Sequence, residues 1–128
     1  MQHTAPGPVV VAVVNDLMFG SRIRAAAQHA NAEVIFVRTA ADLVARAADA
    51  ALVLLDLDTR WLDAPAAITA LRSDTVTARK SIVAFGPHTD ADALERARTA
   101  GADRVLARSG FVKALPDLMA SAIGGRSG

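Results

Sequence analysis

The chain has no cysteine, which excludes disulfides, thiolate metal sites and thiol catalysis and agrees with a reducing compartment. It has no charge surplus either: 14 basic and 13 acidic residues leave a formal net charge of +1. The two signs are interspersed, so the basic stripe that nucleic-acid backbones demand is missing and no nucleic acid is expected as a partner. Long hydrophobic runs are absent too. "VVVAVV" (residues 9–14) has no basic flank before it and is far shorter than the ~20 residues of a membrane span. It reads as a strand, no membrane is expected as a partner, and the absences together predict a cytoplasmic protein. Glycine-rich phosphate loops are lacking: "NDLMFGS" (15–21) holds one glycine and one serine, with neither G-x-G-x-x-G nor a P-loop. No nucleophile elbow, serine–histidine spacing or zinc-type histidine cluster appears, which removes the common hydrolase plans. Repeats and low-complexity tracts are absent, and only residues 1–7 and 125–128 read as loose tails around one domain at 8–124.

What is present is apolar sequence in short, regular doses. Hydrophobic residues make up 52% of 128 positions, enough for one core burying roughly 65–70% of the unfolded surface. A β-branched run over 9–15 gives way to a pattern with Ile23, Ala26, Ala27 and Ala30 on one helical face. "EVIFV" (33–37) is a second strand. Thr39, three residues before Asp42, opens a helix that turns Leu43, Val44 and Ala47 inward. "ALVLLDL" (51–57) is the third strand, and Asp63 with Pro65 starts the next helix. "SIVAFG" (81–86) is the fourth. Thr89, with Asp92 three residues on, is the expected cap of the following helix, and Gly101 its left-handed end. "DRVLA" (103–107) is the fifth strand, after which Pro116 is expected in the first turn of the final helix.

Five strands alternating with five helices predict an α/β fold, a single doubly wound parallel sheet of flavodoxin-like type in the order 2-1-3-4-5. Strands covered on both faces are continuously apolar, as these are. Ligands in such sheets collect beyond the C-terminal strand ends, where the strand order reverses. Asn15 and Asp16 follow strand one, Asp56 and Asp58 strand three, Gly86, Pro87 and His88 strand four, Arg108 and Ser109 strand five.

In element order, lengths and these closing residues, the chain from Val9 to about Ile123 resembles the receiver domains of two-component response regulators, the CheY-like family. The resemblance implies a phosphoacceptor at Asp56 and a Mg²⁺ site at Asp16 and Asp56. Asn15 would be a further neutral ligand in place of the first acid of the family's pair. It also implies a switch hydroxyl after strand four and a lysine after strand five. Here those switch positions hold Gly86 and Arg108. One carboxylate fewer weakens Mg²⁺, which typically takes one or two carboxylates plus waters and phosphate oxygens. Arginine brings a planar fork able to pair with a carboxylate itself. With no hydroxyl at residue 86, a phosphoryl group has no lever on the fourth loop.

The expected protein is therefore a degenerate pseudo-receiver, a stand-alone signalling module and not an enzyme. It would act through a regulatory protein partner, a histidine kinase or a second copy of itself, with phosphorylation at Asp56 weak or absent. Two alternatives stay open: a working receiver phosphorylated on Asp56 with Mg²⁺ in a phosphorelay, and a small-molecule-binding flavodoxin-like module. Bland readings stand beside each residue. Asp56 would be a strand-end carboxylate bonded to backbone N–H groups, Arg108 its partner or that of Asp16, and Asp58 a solvated loop residue or cap, with lining the site or ligating a metal as its functional reading. His88 would line the site or bond to backbone, and Trp61 pack locally or anchor a partner. "LMFG" (17–20) reads as an apolar loop whose Met18 and Phe19 cover the site or bind another protein, Phe111 as core, and Arg96 and Arg98 as a solvated helix face, one that receivers use for partners.

Overall fold

The computed structural model describes residues 7–124; apart from Gly7, the predicted tails lie outside the described residues. The strands are β1 (Val9–Val13), β2 (Glu33–Phe36), β3 (Leu52–Asp56), β4 (Ser81–Gly86) and β5 (Arg104–Ala107). Between and after them come α1 (Leu17–His29), α2 (Ala40–Ala47), α3 (Ala64–Ser73), α4 (Ala91–Ala100) and α5 (Arg108–Gly124). All strand pairs are parallel and the order is β2-β1-β3-β4-β5, as the alternation of periods predicts.

The period-2 alternation of each strand divides the core in two. Val11, Val13, Val53, Leu55, Ile82 and Ala84 face Leu43, Ala47, Ile68, Leu71 and Ala97 of α2, α3 and α4. Val10, Ala12, Leu52, Leu54, Val83 and Phe85 face Ile23 and Ala27 of α1 and Phe111, Leu115, Leu118 and Met119 of α5. Each fully buried Val, Leu, Ile or Phe contributes about 1.5–3 kcal/mol by leaving water, so the two slabs fix the sheet and with it the positions of its five C-terminal ends.

Caps set where the helices begin. Thr39 accepts from the Asp42 N–H at 3.0 Å and Asp63 from Ala66 at 3.1 Å, as their spacing predicts. For α4 the cap is Asp90, which accepts from Ala93 at 3.1 Å, and not Thr89. Both residues have a suitable oxygen three positions before a free N–H, and the carboxylate wins the one-residue contest. Gly101 ends α4 with φ 119°, in the left-handed region.

Two expectations fail at helix starts. "LMFG" is the first turn of α1 rather than a loop, because Asp16 caps it, accepting from Met18 and Phe19 at 2.6 and 3.4 Å. Pro116 lies inside α5, not in its first turn. The helix starts directly at Arg108, and Phe111, Leu115, Leu118 and Met119, all buried on one face, hold both halves against the sheet across the missing backbone bond. Pro116 itself is exposed. Replacing it with alanine restores an N–H donor and removes ring crowding, offset by the greater freedom of the unfolded chain. Pro116→Ala should therefore stabilise the protein by about 1–2 kcal/mol in urea unfolding; a loss of stability would show that the helix is built around the proline.

Candidate functional site

The site grows from the end of β3. An unbroken apolar strand, buried on both faces, delivers the Asp56 carboxylate to the sheet's C-terminal edge with only 1% of the residue exposed. A charge so placed must be satisfied locally. Asp56 Oδ2 accepts the Asn15 N–H at 3.1 Å and Oδ1 accepts the Asp58 N–H at 3.0 Å. Arg108, the first residue of α5, brings a guanidinium Nη2 to 3.7 Å from Asp56 Oδ1 and 3.2 Å from Asp58 Oδ2. Arg108 thus donates to Asp58 and reaches Asp56 as an ion pair; Asp16 is not its partner among the described residues.

The guanidinium has an aromatic bed. Its Cζ lies 5.2 Å from the centroid of Phe19, close enough for cation–π attraction. Phe19 leans on Phe85 and Phe111 with centroids 5.6 and 6.4 Å away, and the latter two stack at 3.9 Å. Phe19 therefore does cover the site, from the first turn of α1, whereas Met18 stands exposed at 62%. Phe111 is core, as expected. Arg108 Nε is buried and has no hydrogen-bond partner among the described residues.

The remaining predicted residues fall at the same edge with different engagements. Asp16 spends its carboxylate on the first turn of α1. Asp58 is exposed and holds Arg108. His88 is exposed on the turn after β4. Gly86 closes β4, buried, and a Cβ built on it would come 3.2 Å from Leu57 Cβ and 3.6 Å from Leu57 Cδ1. A side chain at residue 86 would start against Leu57, which would have to give by a few tenths of an ångström. Trp61 is 44% exposed and lines a neighbouring cleft.

For a divalent cation the site offers hard oxygen donors of the kind Mg²⁺ takes, the carboxylates of Asp16 and Asp56 and the amide of Asn15. Both carboxylates are already bonded to backbone N–H groups, and a cationic side chain stands at Asp56. No cluster of three or more His, Cys, Asp or Glu side chains poised for a metal occurs among the described residues.

Two residues escaped the sequence reading. Thr59 is buried, 4% exposed, with Oγ1 unpartnered among the described residues. Arg72 ties three segments together away from the site: Nε donates to the Gly101 carbonyl at 2.9 Å, Nη1 to those of Ala78 and Lys80 at 2.9 and 2.7 Å, and Nη2 to Asp103 at 2.8 Å. Asp103 Oδ2 also accepts the Ile82 N–H at 2.7 Å. No spacing rule signals such a hub, because three of its acceptors are backbone.

A doubly wound parallel five-stranded sheet in the order β2-β1-β3-β4-β5 defines the flavodoxin-like class. Within that class the fold is the one seen in response-regulator receiver domains. The receiver domain of a sensor histidine kinase from Pseudomonas aeruginosa superposes with a TM-score of 0.77 at 21% identity, over 92% of this chain and 98% of that one, and its structure holds magnesium in the active-site cleft. A response regulator from Hahella chejuensis gives 0.78 at 17% identity over 91% and 96%. A chemotaxis response regulator of Vibrio cholerae gives 0.74 at 16% identity over 91% and 98%. No protein-family model and no curated protein matches the sequence. No described helix is long and apolar enough to cross a membrane.

Proposed function

We propose that this protein is a receiver-like signalling module that works through protein–protein contact, without catalytic turnover, and takes phosphate on Asp56 weakly or not at all. The observation carrying this reading is the engagement of the acceptor carboxylate: Asp56 is buried, both its oxygens accept backbone N–H bonds, and Arg108 sits 3.7 Å away as a built-in cation. An attacking carboxylate needs a free lone pair and a neutralised phosphoryl group. Here each oxygen keeps a lone pair beyond its one backbone bond, but the space beside it is held by a guanidinium already shared between Asp56 and Asp58.

The switch half of the reading rests on Gly86 and Leu57. Without a hydroxyl at residue 86, where even a Cβ would press on Leu57, nothing on β4 would grip a phosphoryl oxygen and draw the following loop inward. A ligand shifts an equilibrium only by its differential affinity for the two states, and here that difference has no structural source. Mg²⁺ binds weakly on this account, through Asp56 and Asp16 with the Asn15 amide as neutral ligand, in competition with Arg108. The partner is a regulatory protein, a histidine kinase or a second copy of this chain, met in the cytoplasm.

The test is chemical. The protein is incubated with Mg²⁺ and acetyl phosphate and its intact mass followed with time. The expected result is an unmodified chain with at most a trace of one added phosphoryl group. Full conversion that Asp56→Asn abolishes would establish a working phosphorelay receiver instead.

A further inference from the structure

Beside the Asp56 site, on the β2 side of β1, the molecule holds a cleft of ≈ 680 Å³ lined among others by Asp16, Gly20, Arg24, Phe36, Arg38 and Trp61. Its volume falls within the range of small-molecule sites, about 300–1,000 Å³. It spans the ends of β1 and β2 and reaches Trp61 after β3, next to the β1/β3 crevice where the strand order reverses. Its chemistry is uneven. The Arg24 guanidinium lies 4.9 Å from the Phe36 ring centroid, within cation–π reach. Arg24 and Arg38 are both exposed, and neither forms an ion pair among the described residues. The one acid in the cleft, Asp16, is committed to the backbone of α1. Trp61, 44% exposed, lines the same cleft, a large ring outside both core clusters.

We propose that this cleft binds a small planar anion of nucleotide size, its ring against Trp61 and its charged group between Arg24 and Arg38. Aromatic stacking and charge-assisted bonds from guanidinium groups are the two strong interactions the walls supply. The first turn of α1 is not the anion's seat, because Asp16 already caps it. The proposal does not require Asp56 to take phosphate, although Asn15 and Asp16 line both places.

Trp61 is the only tryptophan and the chain has no tyrosine, so intrinsic fluorescence reports on this cleft alone. AMP, GMP and FMN are titrated up to about 1 mM and followed by fluorescence and calorimetry, with adenosine and inorganic phosphate as ring-only and charge-only controls. The expected result is saturable quenching by at least one nucleotide, with both controls weaker. The double variant R24A/R38A should lose about tenfold or more in affinity, the equivalent of one good charged contact. Trp61→Phe, which keeps a ring, should still bind by calorimetry. No binding by any of the three nucleotides, or binding that the double arginine variant leaves intact, overturns the proposal.

Discussion

Arg72→Ala should cost about 3 kcal/mol of folding stability, a fall of roughly 10 °C in Tm for a domain of this size. The arginine stands in the last turn of α3 and donates four hydrogen bonds, three to backbone carbonyls at Gly101, Ala78 and Lys80 and one to Asp103. Its side chain is only 22% exposed, so these bonds are poorly replaced by water. Truncation leaves the turn before β4 and the end of α4 without their common anchor. It also leaves Asp103 with only the Ile82 N–H. Arg72→Lys should recover less than half, because an ammonium group cannot span four acceptors in one plane. Urea unfolding of the three proteins decides it: a loss under about 1 kcal/mol for the alanine variant, the scale of an ordinary surface pair, would mean that the hub is ornamental.

The second large effect concerns the cation in the site. Arg108→Ala should tighten Mg²⁺ binding by about tenfold or more, because the ion no longer competes with a resident positive charge for Asp56. Stability should fall only modestly. The Asp56 carboxylate keeps its two backbone N–H bonds, and the Asp58 pair is exposed on one side and contributes little. Arg108→Lys should fall between, since a flexible ammonium can swing away from an arriving ion where a guanidinium bedded on Phe19 cannot. Calorimetric titration of Mg²⁺ into the three proteins measures this directly. Equal affinity in all three would show that Arg108 does not guard the site.

The fold was legible because its strands are nearly uninterrupted runs of Val, Leu, Ile and Phe, and because caps such as Thr39 and Asp63 sit one turn ahead of apolar patterns. Errors arose where two residues qualify for one role, as Thr89 and Asp90 do, or where packing overrides propensity, as at Pro116. "LMFG" looked like a loop because its first two residues are apolar and exposed, a pattern that no buried face explains. At the site, the positions of Asp16, Asp56, Gly86 and Arg108 around one sheet edge followed from topology alone. Their engagements did not. That Arg108 bonds to Asp58 in preference to Asp56, that Asp16 turns to its own helix, and that Leu57 lies against Gly86 depend on side-chain directions that spacing does not encode. Arg72 was invisible because carbonyl acceptors carry no sequence signature.

The central claim is that the acceptor position no longer drives a switch, and the amide spectrum of the ¹⁵N-labelled protein tests it most directly. Mg²⁺ with beryllofluoride, which mimics a phosphoryl group on a carboxylate, should shift at most the amides next to Asp56 and leave β4, α4 and β5 unmoved. Shifts spreading from Gly86 through α4 to Arg104–Ala107, abolished by Asp56→Asn, would contradict the account and show a receiver that still switches.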